Sequence, residues 1–166
     1  MSTERVTNIV VAGVGGQGVL RATDVIAETA FLAGYDVKKT EVHGMSQRGG
    51  GVVSDVRFGP RVLSPMVPDG EADFLLVLEP TQLEPNRHRL KPDGVIIGCD
   101  RINVASLTHP KTLNVALLGV LSQYLDLSCE LWCDALRRCF PPHLYSVNEE
   151  AFELGRQADG KACRRE

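Results

Sequence analysis

Short apolar runs alternate along the chain with longer stretches of helical spacing. Residues 8–13, Asn-Ile-Val-Val-Ala-Gly, run apolar without a polar alternate and are rich in β-branched side chains. That is the pattern of a strand buried on both faces. From 17 to 33 the period changes: Leu20, Ala27, Ala30 and Phe31 share a stripe, Arg21, Asp24 and Glu28 fall largely off it, and Gly34 supplies a stop. Further strands are expected over 37–42, 51–58, 74–78 and 95–98. Gly59-Pro60, Pro65, Pro68 and Gly70 mark 59–72 as a loop. Three helices are expected at the end, over 113–127, 129–139 and 148–158. Ser146 and Glu149 stand at the spacing of a capping box for the last of them. Residues 1–158 read as one domain and 159–166 as a flexible tail. The β/α alternation predicts an α/β fold, a three-layer α/β/α sandwich around a mostly parallel, Rossmann-like sheet.

The stretch 113–127 carries Val115, Leu117, Leu118, Val120, Leu121 and Leu125 on all sides. A helix apolar all round needs cover on every side, from its own core or from another chain. Gly119 in its middle costs about 1 kcal/mol relative to Ala, which points to a close backbone approach there.

Composition narrows the function classes. The 166 residues fit a single domain, and 43% hydrophobic with 23% charged residues exclude a disordered tail protein. A net charge of −3 argues against gripping nucleic acid phosphates. No apolar run reaches the ~18 residues of a membrane span, and Met-Ser-Thr-Glu-Arg does not open like a signal peptide. Five cysteines, Cys99, Cys129, Cys133, Cys139 and Cys163, are an odd number. Reduced thiols in a cytoplasmic protein are the expectation.

Two glycine-rich segments carry the candidate chemistry. The first strand runs straight into Gly13-Val14-Gly15-Gly16-Gln17-Gly18 and then a helix. Such a turn aims free backbone N–H groups at the helix N-terminus, where an anion is favoured. Gly13, Gly15 and Gly18 match the dinucleotide-binding spacing, with Glu41 near the place of a ribose-binding acid. The same glycines also suit nothing more than tight helix–strand packing. The second segment, Glu41 to Gly51, gathers His43, Ser46, Gln47, Arg48, Gly49 and Gly50 between two strands. Consecutive glycines form an anion-binding concavity, and Arg48 adds a two-pronged donor for phosphate or carboxylate. A surface salt bridge is the plainer role for Arg48, and a hydrogen-bonded structural histidine for His43. With the first two strands parallel, both loops leave the carboxyl ends of neighbouring strands, where α/β folds place ligands.

These segments together with Ser64-Pro-Met-Val-Pro68, Gly70-Glu-Ala-Asp73, Leu78-Glu-Pro80, Asn114 and Asn148-Glu-Glu-Ala-Phe152 resemble the gamma-type subunits of 2-oxoacid:ferredoxin oxidoreductases. The likeness is greatest to the beta subunits of indolepyruvate ferredoxin oxidoreductases and runs from about 6 to 158. It implies a non-thiamine subunit, inactive alone, of a complex that oxidatively decarboxylates a 2-oxoacid to acyl-CoA and reduces ferredoxin. It implies Gly13, Gly15, Gly16, Gln17 and Gly18 as cofactor-side loop positions. Ser46, Gln47, Arg48, Gly49 and Gly50 follow as a loop facing the coenzyme A and active-site approach. No residue is implied as catalytic or as a metal ligand. Thiamine diphosphate, magnesium and 4Fe–4S clusters would sit in a larger partner subunit, which would also dock ferredoxin. The residues agree: Cys129, Cys133 and Cys139 are spaced C-x3-C-x5-C, which is not a cluster-binding run. Isolated, the chain would self-associate into homo-oligomers; membrane and nucleic acid are not expected partners. Two alternatives stand beside this reading. One is a free-standing NAD(P)-type dinucleotide-binding module, the other a purely structural partner subunit.

Overall fold

The computed structural model describes residues 5–43 and 50–158. Five strands, β1 (Thr7–Val14), β2 (Asp36–His43), β3 (Gly51–Gly59), β4 (Ala72–Val77) and β5 (Leu90–Gly98), form one sheet in the order β2-β3-β1-β4-β5. Five α-helices lie among the described residues: α1 (Val19–Leu32), α2 (Leu83–Asn86), α3 (Leu113–Ser122), α4 (Cys129–Cys139) and α5 (Tyr145–Ala158). β1 lies at the centre, and Ile9, Val10, Val11 and Ala12 are fully buried, as an apolar strand without alternation requires.

The α/β class holds, but the sheet is mixed rather than mostly parallel. β1 pairs in parallel with β4, and β4 with β5, whereas β3 runs antiparallel to both β1 and β2. The reason is chain length. Only residues 44–50 join β2 to β3, and a parallel crossover takes a dozen or more. The first two strands do point the same way, yet β3 stands between them, so they are not neighbours.

The third layer is thin. α1, α3, α4 and α5 share one core with Ile9, Val11, Val56, Leu76 and Ile97 on one face of the sheet. The opposite face, around Val10, Ala12, Leu75 and Val77, is covered by Val67 of the 60–71 loop and by Leu83 of the one-turn α2. Side chains of the sheet fix that loop. Asp55, 2% exposed, accepts from the Val67 N–H at 2.9 Å and pairs with Arg89 at 2.7 Å. Arg57 donates to the Ser64 and Met66 carbonyls.

Apolar α3 is covered by its own chain, so its pattern does not demand a second one. Asn114 through Ser122 are all buried, and α5 crosses so closely that a Cβ on Gly119 would lie 2.9 Å from the Arg156 nitrogen and 3.0 Å from the Gly155 Cα. α3 ends at Ser122, five residues short of the sequence expectation; Leu125 and Leu127 remain buried outside it. α5 begins at Tyr145, directly after a turn at Pro142–Leu144. Ser146 therefore lies inside the helix and is not its cap.

Candidate functional site

The carboxyl ends of β1, β4 and β5 share one edge of the sheet, and β2 ends and β3 begins at that edge. Val14, last in β1, stands opposite Gly51, first in β3, while Val52 stands opposite His43. The first glycine segment and the two ends of the second, His43 and Gly50, therefore stand at one edge. Ser46, Gln47, Arg48 and Gly49 lie outside the described residues, as does the His43 side chain. Gly50 is half-buried directly ahead of β3.

The five positions of the first turn divide by what surrounds them. Gly13 is needed for packing: a Cβ there would come within 2.8 Å of both Gln17 Oε1 and Val19 Cγ2. Gly18, the residue before α1, has φ +80 and is pressed against Asn114, whose Nδ2 donates to its carbonyl at 3.2 Å. Gln17 turns inward. Its Oε1 accepts from the Val14 N–H at 2.9 Å and its Nε2 donates to Glu79 Oε2 at 3.1 Å. Its carboxamide is thus a strut of the turn rather than a group facing a ligand. Gly15 and Gly16 are exposed, with nothing within 4 Å of an added Cβ, and Gly16 holds φ +88.

The open turn borders a groove of about 610 Å³ shared with Arg21, Asp24, Lys39 and Glu41. Its fixed charges largely cancel. Lys39 pairs with Asp24 and lies 3.5 Å from Glu41. Burial alone would lower the Lys39 ammonium pKa, but its hydrogen bonds and the charges of Asp24 and Glu41 outweigh that and raise it. Arg21 donates to the Cys139 carbonyl at 3.0 Å and stacks on Phe140. What remains for an anion is the backbone at the start of α1, whose first turn carries no acidic side chain to compete.

Glu41 does not sit where the dinucleotide reading wants it. It lies on β2, two strand spacings (roughly 9.5 Å) from β1, because β3 intervenes. Cys99, Cys133 and Cys139 read as structural, while Cys163 lies outside the described residues. Burial first, then nearby carboxylates, push the Cys139 thiol up to about 11; burial likewise raises Cys99 and Cys133. Among the described residues no group of three His, Cys, Asp or Glu side chains converges to hold a metal ion. These residues do not fit an iron–sulfur cluster. Nor, among them, is any helix long and apolar enough to cross a membrane.

Residues 8–103 match the family described as pyruvate ferredoxin/flavodoxin oxidoreductase. The chain belongs to this family. Within the pyruvate ferredoxin/flavodoxin oxidoreductase family, indolepyruvate oxidoreductase subunit IorB of Thermococcus kodakarensis is 36% identical over 191 residues, covering 91% of this chain and 95% of that relative. The keto/oxoacid ferredoxin oxidoreductase gamma subunit from Geobacter sulfurreducens PCA superposes with a TM-score of 0.75 at 22% identity, covering 92% of this chain and 97% of that one. The 2-oxoglutarate:ferredoxin oxidoreductase from Magnetococcus marinus, determined with 2-oxoglutarate, coenzyme A and succinyl-CoA bound, gives a TM-score of 0.82 at 19% identity. That match covers 98% of this chain, which spans about a third (32%) of the Magnetococcus chain. At such identities the two structures establish the shared fold. The family match covers β1 to β5 and both glycine segments. Sequence reasoning missed Glu79 and Gln82 as parts of this edge; Glu79 was legible only as the middle residue of Leu78-Glu-Pro80, with nothing in the spacing to say that Gln17 reaches it.

Proposed function

We propose that this chain is the non-thiamine, gamma-type subunit of a 2-oxoacid:ferredoxin oxidoreductase complex. The complex would oxidatively decarboxylate an arylpyruvate such as indolepyruvate to its acyl-CoA and reduce ferredoxin. The observation that carries this reading is the end-to-end likeness to an indolepyruvate oxidoreductase subunit, 36% identical over 95% of that relative. Thiamine diphosphate with magnesium, and the 4Fe–4S clusters, belong in this reading to a larger partner subunit. This chain adds the edge at which coenzyme A and the 2-oxoacid approach.

Of the positions expected to serve there, Gly15 and Gly16 are the open ones, supported by Gly13, Gln17 and Gly18. Ser46, Gln47, Arg48, Gly49 and Gly50 are the second loop. A coenzyme A phosphate or a substrate carboxylate is the kind of anion that exposed backbone N–H groups ahead of a helix favour. The NAD(P) reading is weakened by the strand between Glu41 and β1.

Gly15→Val tests the proposal, since it adds bulk into open space at a residue without positive φ. A tagged chain purified anoxically should carry a larger subunit, and the complex should reduce ferredoxin only with an arylpyruvate and coenzyme A. In that complex Gly15→Val should raise KM for coenzyme A or the 2-oxoacid about tenfold while assembly stays intact. Unchanged kinetics would leave the chain a purely structural cover. Saturable NAD(P) binding without any partner would replace the proposal with the dinucleotide module.

A further inference from the structure

Asn114 is out of place in α3. The helix is otherwise apolar up to Ser122 and is buried from Asn114 onward. A carboxamide in such surroundings costs free energy unless it is hydrogen-bonded. Asn114 is 5% exposed, and its Nδ2 donates to the Gly18 carbonyl at 3.2 Å, across 96 residues of sequence. Gly18 stands directly before α1 in a left-handed conformation, φ +80 and ψ +30, and offers that helix no side-chain cap. Its carbonyl also accepts from the Ala22 N–H at 2.9 Å. The Ala22 bond ties the carbonyl to its own helix, whereas the Asn114 bond ties it to a different one. Glycine has the least torsional resistance of any residue, so the restraint comes from the neighbour. A Cβ on Gly18 would run into the Asn114 carboxamide, 3.1 Å from its Cγ. Asn114 in turn belongs to a helix locked to α5 where Gly119 and Gly155 bring the two backbones together.

We infer that Asn114 is a positioning residue for the glycine turn: by holding the Gly18 carbonyl it fixes the plane of the Gly18–Val19 peptide, and with it the direction of the Val19 N–H. The inference rests on the function proposed above and deepens it. A trans peptide is planar, and its N–H points opposite to its C=O. A carbonyl held towards Asn114 and the body of α1 therefore sends the Val19 N–H out of the helix start, where Gly15, Gly16 and Gly18 line the open groove. Donors fixed before an anion arrives bind it better than donors that the anion must itself order. Asn114 is not one of the walls of that groove. It acts through Gly18 and need not touch coenzyme A or the 2-oxoacid.

The Ala22 amide, bonded to the same carbonyl, reports the restraint. In the full-length chain, Asn114→Ala and Asn114→Asp should each speed Ala22 exchange about fivefold relative to the core amides of Val10 and Val11. Asp keeps the shape of the side chain but sets an acceptor against an acceptor, so it carries the test if the Ala variant does not fold. Ser122→Ala is the control, since it removes a buried hydrogen bond to the Gly119 carbonyl at the far end of the same helix. It should leave relative Ala22 exchange within twofold. In the assembled complex, both Asn114 variants should raise KM for coenzyme A or the 2-oxoacid about fivefold with kcat within twofold, and Ser122→Ala should leave KM unchanged. Wild-type Ala22 exchange in the Asn114 variants overturns the restraint. Faster exchange with a wild-type KM in an active complex overturns the positioning role, as does an equal rise of KM in Ser122→Ala or a loss of kcat together with assembly. If the wild-type complex shows no 2-oxoacid turnover, the proposed function fails and the positioning role with it, while Ala22 exchange still decides the restraint.

Discussion

Gly155→Ala should be among the most damaging single-methyl additions to this protein. On Gly155 of α5 a Cβ would fall inside the Ala116 carbonyl of α3, 2.8 Å from its carbon and 3.1 Å from the Gly119 Cα. Both are backbone atoms, so no side chain can rotate away. Restoring an ordinary contact of 3.4 Å to the carbonyl carbon moves the helices apart by at least about 0.6 Å. α3 has no slack to absorb this, because Ala116, Leu117, Leu118, Val120 and Leu121 are all fully buried. A gap of that size forfeits a quarter to a half of each contact it opens. Overpacking of a tight core costs about 1–3 kcal/mol and sometimes more, against a helix-propensity gain of about 1 kcal/mol for replacing Gly. With backbone on both sides of the clash the cost sits at the top of that range, so the net loss should be at least about 2 kcal/mol, lowering Tm by about 4–8 °C or more. Thermal and urea unfolding followed by circular dichroism measure it, with Gly15→Ala, which meets nothing within 4 Å, as the control. Gly119→Ala should behave alike, and the double variant should fall short of additivity because both methyls open the same seam. A Gly155→Ala protein as stable as wild type would refute the close crossing.

Three other outcomes follow from particular contacts. Asp55→Ala leaves Arg89, 13% exposed, with the Val67 carbonyl and with Asp69 at 3.6 Å, and takes the acceptor from the Val67 N–H, so it should cost about 1–3 kcal/mol in urea unfolding; an unchanged stability would show the pair to be hydrated. Arg48→Lys, assayed in the complex, should lower kcat/KM for coenzyme A or the 2-oxoacid about tenfold to hundredfold with assembly intact, since the guanidinium fork is lost while the charge stays. Cys99, Cys133 and Cys139 hold their protons above the ordinary thiol value of 9.0, and Lys39 above 10.5. The folded state therefore binds more protons than the unfolded one as pH climbs past 9, so stability should fall from pH 9 towards 11 and stay level with respect to these groups below 9. Urea midpoints across that range check the sign, and a midpoint rising with pH would contradict it.

Much of this architecture is written locally in the sequence. Ile9 to Ala12 declare a central strand because a residue buried on both faces admits no polar alternate, and Val19 to Leu32 declare a helix by period. The direction of β3 is different. Alternation within 51–58 is the same for either direction, and only the shortness of 44–50 carries the answer. The inward turn of Gln17 was not legible, since a glutamine among glycines reads as ligand-facing until Glu79 is brought beside it from 62 residues away. The cover on α3 was half legible: Gly119 announced a close approach, but Gly155 as its counterpart is a fact of tertiary packing. Ser146 was misleading because Pro142 starts a turn that carries the helix back to Tyr145.

The antiparallel insertion of β3 has a kinetic consequence. Among the described residues β2 pairs in the sheet with β3 alone, so its template is β3 docked on β1. β1, α1, β2 and β3 follow one another between Thr7 and Gly59 and contact one another extensively. Their pairings close short loops, whereas β4 and β5 join by parallel crossovers. The more local pairings of the sheet thus fall in the N-terminal third of the chain, which is expected to order ahead of β4 and β5. The turn at 79–82 is expected later, once β4 has settled beside β1, and only then can Glu79 reach Gln17.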